Sequence, residues 1–262
     1  MKKKGNPVVV KSTRPKRSAG PAAQRQKPSV KYIYTFGDGK AEGRAEMKQL
    51  LGGKGANLAE MTNLGVPVPP GVTITTTACH KFYEQSRRWP EGLEEELGQG
   101  MRWLEGVAGK GFGDPENPLL VSVRSGAPVS MPGMMDTILN LGLNDRTVRG
   151  LIAKTQNRRF AFDAYRRLIQ MFSHVVLNVD PRVFEEKLAA KKARRSAATD
   201  ADLPAEALED LVGEFKAVVN QAKGAAFPDD PMEQLRQAID AVFASWHNER
   251  AKIYRRLNGL PE

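Results

Sequence analysis

The feature that most constrains this chain is a change of periodicity at Asn144. Before it, short apolar runs are cut by glycine and proline. After it, apolar residues recur at helical spacing almost to the end. Strands need alternation or short β-branched runs, whereas buried helices need apolar residues three and four apart. The body is therefore expected to be α+β: an α+β part over residues 32–143, an all-helical part over 144–257, and a short stub at 258–262.

In the first part, Tyr32-Ile33-Tyr34-Thr35-Phe36 reads as a strand stopped by Gly37-Asp38-Gly39. Gly52-Gly53-Lys54-Gly55 reads as a glycine loop feeding a helix over 56–64, closed by Gly65. Residues 66–71 are too rich in proline for helix, and 72–75 form a β-branched strand. Thr76 or Thr77 caps a helix to about Arg87. Residues 91–107 form a helix that buries Leu93, Leu97, Met101 and Leu104, and 119–123 form a short strand. Beyond Asn144, helices are expected over 160–176, 184–190, 203–222 and 232–257, with a charged hinge at 191–201.

Charge is segregated as sharply. The chain carries 40 Lys and Arg against 30 Asp and Glu, a net charge of +10. Residues 1–31 hold ten of the basic groups and no acid, so the rest of the chain is neutral on balance. This first segment has too few apolar residues to offset the entropy of ordering, and it reads as a disordered basic tail. A polyanion contact and a targeting signal are the alternative uses of such a tail. No apolar run approaches the roughly 18 residues that span a bilayer. Cys79 is the only cysteine, which excludes a disulfide scaffold and points to a cytoplasmic setting.

The candidate chemistry gathers at three places. Gly52-Gly53-Lys54-Gly55 before a helix puts backbone N–H groups and a lysine charge at one point, which favours phosphate. The spacing is not that of a Walker loop, and a purely structural turn is the competing reading. Arg124 leaves a short apolar strand beside Ser125 and Gly126, where it can reach a phosphate or carboxylate bidentately or pair with a local acid. The loop Ser130-Met131-Pro132-Gly133-Met134-Met135-Asp136-Thr137 could fill core or line a purine face. Asp136 and Thr137 are expected to cap a following helix, with metal or ribose binding as the other roles. His80, His174 and His247 are expected to sit on helices without catalytic partners, and 109–113 is read as a plain loop. No cluster of acids near the C-terminus has the look of a magnesium site.

Taken together, residues 32–37, 51–61, 66–77, 120–127 and 130–144 resemble the N-terminal nucleotide-binding region of the pyruvate, phosphate dikinase family. The helical motifs Arg159-Phe160-Ala161, Tyr165-Arg166-Arg167, Ile169-Gln170-Met171-Phe172 and Ala244-Ser245-Trp246 extend the resemblance from Lys31 to about Arg256. The run 130–144 separates it from the related phosphoenolpyruvate synthases. The resemblance implies an incomplete ATP-grasp nucleotide-binding domain with a largely helical insertion subdomain. It implies ATP as ligand, with Lys54 and Arg124 on its phosphates and Gly53, Gly55, Ser125, Met135, Asp136 and Thr137 around it. Magnesium would accompany the nucleotide, on ligands from the second half of the grasp. The reaction implied is ATP, phosphate and pyruvate to AMP, pyrophosphate and phosphoenolpyruvate. No phosphohistidine motif of the Thr-Ser-His-Ala type is present, so no catalytic residue is expected in this chain. It is expected to be an N-terminal piece, inactive alone, whose partners are the remaining dikinase domains and, as the family allows, a second copy. A stand-alone nucleotide- or partner-binding module is the alternative. Pro128 departs from the family, where a basic residue is frequent.

Nucleic acid is expected to engage only the tail. Retention on heparin or RNA should fall steeply with salt, as counterion release requires, and vanish when residues 1–31 are deleted. Equal retention by the deleted chain would refute this.

Overall fold

The computed structural model describes residues 30–129 and 131–260. The expected tail over 1–31 lies almost wholly outside them, as does Ser130. From Tyr32 onward the chain packs as one unit.

Two small antiparallel sheets carry the first part. β1 (Ile33–Gly37) sits between β2 (Lys40–Ala41) and β3 (Gly71–Ile74). Its start is held by Glu96, whose Oε2 accepts from the N–H groups of Tyr32 and Ile33 at 2.8 and 2.9 Å. α1 (Lys48–Asn63) precedes β3, and α2 (Thr76–Glu84) follows it. The residue capping α2 is Thr75, one position before the expected pair; its hydroxyl accepts from the Ala78 N–H at 3.3 Å. α1 ends as expected at Gly65, where Gly65 N–H reaches Thr62 O and Val66 N–H reaches Met61 O. α3 (Leu93–Ala108) buries the expected stripe of Leu93, Leu97, Met101 and Leu104. It presses closest to the sheet at Gly100, where an added Cβ would lie 3.0 Å from the Ile33 side chain.

The second sheet is a hairpin of β4 (Val121–Arg124) and β5 (Thr137–Leu141). Here the sequence expectation needs correction. Thr137 begins a strand, so Asp136 and Thr137 cap no helix. β-Branched Thr137 and Ile138 pair with Arg124 and Val123 instead, and the ladder takes the backbone groups that a cap would have served.

The helical part comprises α4 (Thr147–Thr155), α5 (Arg158–Val175), α6 (Arg182–Arg195), α7 (Ala205–Lys223), α8 (Pro231–Ser245) and α9 (Glu249–Leu257). α5 packs on α7, and the fully buried rings of Phe172, Phe184 and Phe215 lie at its centre. Phe184 meets Phe215 edge-on at 5.0 Å, and Phe172 meets Phe227 at 5.3 Å. Such T-shaped pairs add to the area they bury.

Two helices differ from expectation. The charged stretch read as a hinge continues α6 to Arg195. Lys191 is buried there and pairs with Asp210 and Glu214 of α7 at 3.3 and 2.8 Å, so its charge is satisfied across a helix interface rather than by water. The helix expected over 232–257 breaks at residues 246–248. Asn248 takes extended backbone and accepts from the Ala251 N–H at 2.7 Å, starting α9 afresh. His247 lies in this break, not on a helix; its ring meets Tyr83 edge-on at 4.3 Å.

A buried polar knot joins hairpin to helices. Gln234 of α8 accepts from the Gly142 N–H at 3.0 Å and donates to Leu143 O and Pro228 O at 3.0 and 2.8 Å. Asn144 donates to Asp229 O at 2.8 Å, and Thr147 to Gly142 O at 2.8 Å. All three residues are fully buried. Gln234→Ala would strand one N–H and two carbonyls without water. It is expected to cost about 2–4 kcal/mol, read as a lower midpoint in chemical denaturation with unchanged slope. A midpoint equal to wild type would show that the knot contributes nothing.

Candidate functional site

The glycine segment is not a free loop. α1 spans it, bent at Gly52, whose backbone (φ 69°, ψ 167°) leaves the helical region altogether. Thr76 Oγ1 donates to Gln49 O at 2.6 Å, tying down the turn that leads into the bend. Helix resumes at once, so Lys54 lies in the first turn after the bend rather than in a loop ahead of it.

Gly52 is required twice over. Its positive φ disfavours any other residue, and a Cβ there would sit 1.2 Å from Gly126 O. The bend thus lies directly on the segment leaving β4. Gly53 N–H donates to Ala127 O at 2.9 Å and locks the two together. That N–H is therefore already occupied. Gly55 serves a different contact: a Cβ there would fall 2.7 Å from the Thr73 side chain on β3.

This contact places two cations near each other. Arg124 ends β4, and Lys54 starts the resumed helix. Partial burial lowers the Lys54 pKa, and the Arg124 guanidinium lowers it further. Both side chains are exposed. Among the described residues neither has an acidic or hydrogen-bonding partner. Two unneutralised cations that repel each other bind a multiply charged anion with relief of that repulsion.

The remaining expected residues follow around the hairpin mouth. Ser125 continues from Arg124, half-buried. Thr137 is the cross-strand partner of Arg124, so Asp136 and Met135 lie one and two residues further along. Met131 is buried, whereas Met134 and Met135 are half-buried, so only Met131 fills core. Asp136 is engaged by Arg250 of α9, whose Nη2 donates to its Oδ1 at 3.0 Å. Asn248 Nδ2 donates to Met134 O at 3.1 Å. Neither α9 residue was anticipated from sequence, because nothing in a helix read by periodicity says which distant loop its polar face meets.

Other reactive groups are elsewhere. His80, His174 and His247 are exposed. Burial pushes the Cys79 thiol up to about 12, so it is not a thiolate at neutral pH. Among the described residues no group of three or more His, Cys, Asp or Glu side chains could hold a metal ion, and no helix is long and apolar enough to cross a membrane.

An α+β unit that sets two unpaired cations at a glycine-bent helix start suits an anionic, phosphate-bearing ligand. Over the overlapping stretches 48–105 and 86–262 the sequence matches the family described as pyruvate phosphate dikinase, AMP/ATP-binding domain, and the chain belongs to that family. It is 53% identical over 232 residues to the pyruvate, phosphate dikinase of Rhizobium meliloti (strain 1021), covering 88% of this chain and 26% of the relative. It is 52% identical to pyruvate, phosphate dikinase 2 of Zea mays and 51% identical to the enzyme of Clostridium symbiosum, with the same coverage. The chain thus spans about a quarter of the length of the curated relatives it matches.

The bend admits no side chain. Gly52→Ala is expected to destabilise by about 3 kcal/mol or more, from strain and overpacking together. Gly65→Ala, also at positive φ but with open space around it, should cost only about 1 kcal/mol. Equal losses in thermal denaturation would show that the Gly52–Gly126 contact is not what demands glycine.

Proposed function

We propose that this chain is the ATP-binding portion of a pyruvate, phosphate dikinase. In that assembly ATP, phosphate and pyruvate become AMP, pyrophosphate and phosphoenolpyruvate. The observation that carries the reading is the pair Lys54 and Arg124, close enough to repel and, among the described residues, without a counter-charge. In this reading residues 32–143 form the first subdomain of an ATP-grasp cleft and 144–257 a helical insertion beside it.

Lys54 would bind the phosphate chain as a compact point charge and Arg124 as a planar fork. Gly53 and Gly55 act by placing Lys54, Gly53 through its hydrogen bond to Ala127 O and Gly55 by leaving room for the Thr73 side chain. Ser125 offers a hydroxyl, Met135 an apolar surface for the base, and Thr137 and Asp136 polar groups at the hairpin mouth. As phosphoryl transfer proceeds, negative charge builds on the phosphate oxygens. Cations already held in place stabilise that charge without reorganisation. Magnesium accompanies ATP in this reading. Its ligands, in this reading, come from the second half of the grasp. The attacking histidine, the pyruvate site and the remaining dikinase domains are likewise partners of this unit, in a cytoplasmic enzyme.

ATP titrated calorimetrically into the chain should bind about 10- to 100-fold more weakly to Lys54→Ala and to Arg124→Ala, as expected for losing a charged hydrogen bond. Three identical isotherms would remove the site. The pH dependence carries its own sign. Phosphate favours protonated Lys54, so affinity is full below the lowered pKa of the free lysine and falls as pH rises through it. The fall should begin at lower pH than an ordinary lysine would give, and Lys54→Arg should abolish it. A flat profile for wild type would count against Lys54 as a ligand.

A further inference from the structure

The bend at Gly52 frees a carbonyl, and a hydroxyl from another element takes it. In an unbroken helix the carbonyls of Gln49 and Leu50 accept from the N–H groups of Gly53 and Lys54, four residues on. The bend diverts the first of these, because Gly53 N–H donates to Ala127 O at 2.9 Å. Gln49 O has therefore lost its helical donor. Thr76 Oγ1 supplies another at 2.6 Å, and it lies 3.3 Å from Leu50 O as well.

Thr76 is itself firmly placed. Its neighbour Thr75 is buried, donates its N–H to Tyr32 O at 2.9 Å, and caps α2 with its own hydroxyl. The Thr76 hydroxyl is thus free of the cap and serves α1 instead. Beyond the bend, the Thr73 side chain lies where a Cβ on Gly55 would fall, so β3 supports the resumed helix too. Residues 73–76 consequently hold α1 on both sides of Lys54.

We infer that Thr76 is a positioning residue for nucleotide binding: by donating to Gln49 O it fills the acceptor to which Gly53 N–H would return, and so keeps Lys54 beside Arg124. The inference rests on the reading that Lys54 and Arg124 hold the phosphates of ATP. Its physical basis is an exchange of partners. Gly53 N–H can pair along a straight helix or across to Ala127 O, and an unpaired Gln49 carbonyl favours the first. Filling that carbonyl removes the advantage of the straight helix. Lys54 directly follows Gly53, so its placement follows the choice.

The test is calorimetric ATP titration of the chain and of Thr76→Ala, Thr76→Val and Thr76→Ser, beside Lys54→Ala, Arg124→Ala and Thr76→Ala/Lys54→Ala. Thr76→Ala removes the hydroxyl, and Thr76→Val removes it while keeping the shape. Both should bind about three- to tenfold more weakly, the size of one hydrogen bond. Thr76→Ser keeps the donor and should stay within about twofold of wild type. Adding Thr76→Ala to Lys54→Ala should weaken binding by less than about twofold further, because the residue being placed is gone. Thr76→Ser as weak as Thr76→Ala would overturn the inference, since the hydroxyl would then not be what matters. An undiminished loss in the Lys54→Ala background would overturn it too, by showing that Thr76 acts on the fold at large. Unchanged binding by Lys54→Ala and Arg124→Ala would remove the phosphate site and the inference with it. Weakening by those two, with wild-type affinity in either Thr76→Ala or Thr76→Val, would remove the inference alone.

Discussion

The contact between Gly52 and Gly126 governs how the candidate site is assembled. Two backbones approach so closely there that a methyl group on Gly52 would overlap the Gly126 carbonyl oxygen. The bend in α1 and the exit of β4 consequently have one mutual placement, and the Gly53–Ala127 hydrogen bond closes it. Lys54 and Arg124 inherit their proximity from this contact and not from any attraction. Like charges would separate if their backbones allowed it, so a rigid pair of glycines is the physical condition for bringing them together.

That arrangement has an electrostatic consequence. Each cation raises the cost of the other, and burial adds to the cost at Lys54. In the proposed reading, an anion of high charge density is the ligand that offsets both costs. Arg250 engages Asp136 from α9, so the helical part meets the mouth of the hairpin. The buried knot of Gln234, Asn144 and Thr147 ties the end of β5 to α8 and to the turn before it. It gives the hairpin a fixed base while its mouth meets α9.

Much of this was legible in the residues. The glycine-rich segment, the strand-terminating arginine and the buried stripe of α3 all depend on local spacing. Local spacing is what periodicity and capping rules read. The errors share a cause. Asp136-Thr137 has the composition of a helix cap, yet the partner strand took Thr137. Residues 191–195 have the composition of a solvated hinge, yet α7 supplied acids for Lys191. Residues 232–257 look like one helix, yet Asn248 caps a second. Each outcome turned on a neighbour distant in the chain.

The chain's order of residues was enough to establish an α+β body with a helical second part, a basic first segment and a lone cysteine, and to single out Lys54 and Arg124 as candidates for phosphate. These follow from side-chain size, charge and spacing, which are properties of short segments. Folding alone settled that Gly53 donates its N–H internally, that Lys54 and Arg124 come close enough to interact without an acidic partner among the described residues, and that Asp136 is claimed by Arg250. Such facts are distances between residues dozens of positions apart. No local propensity encodes them, because they exist only once packing has chosen which surfaces touch.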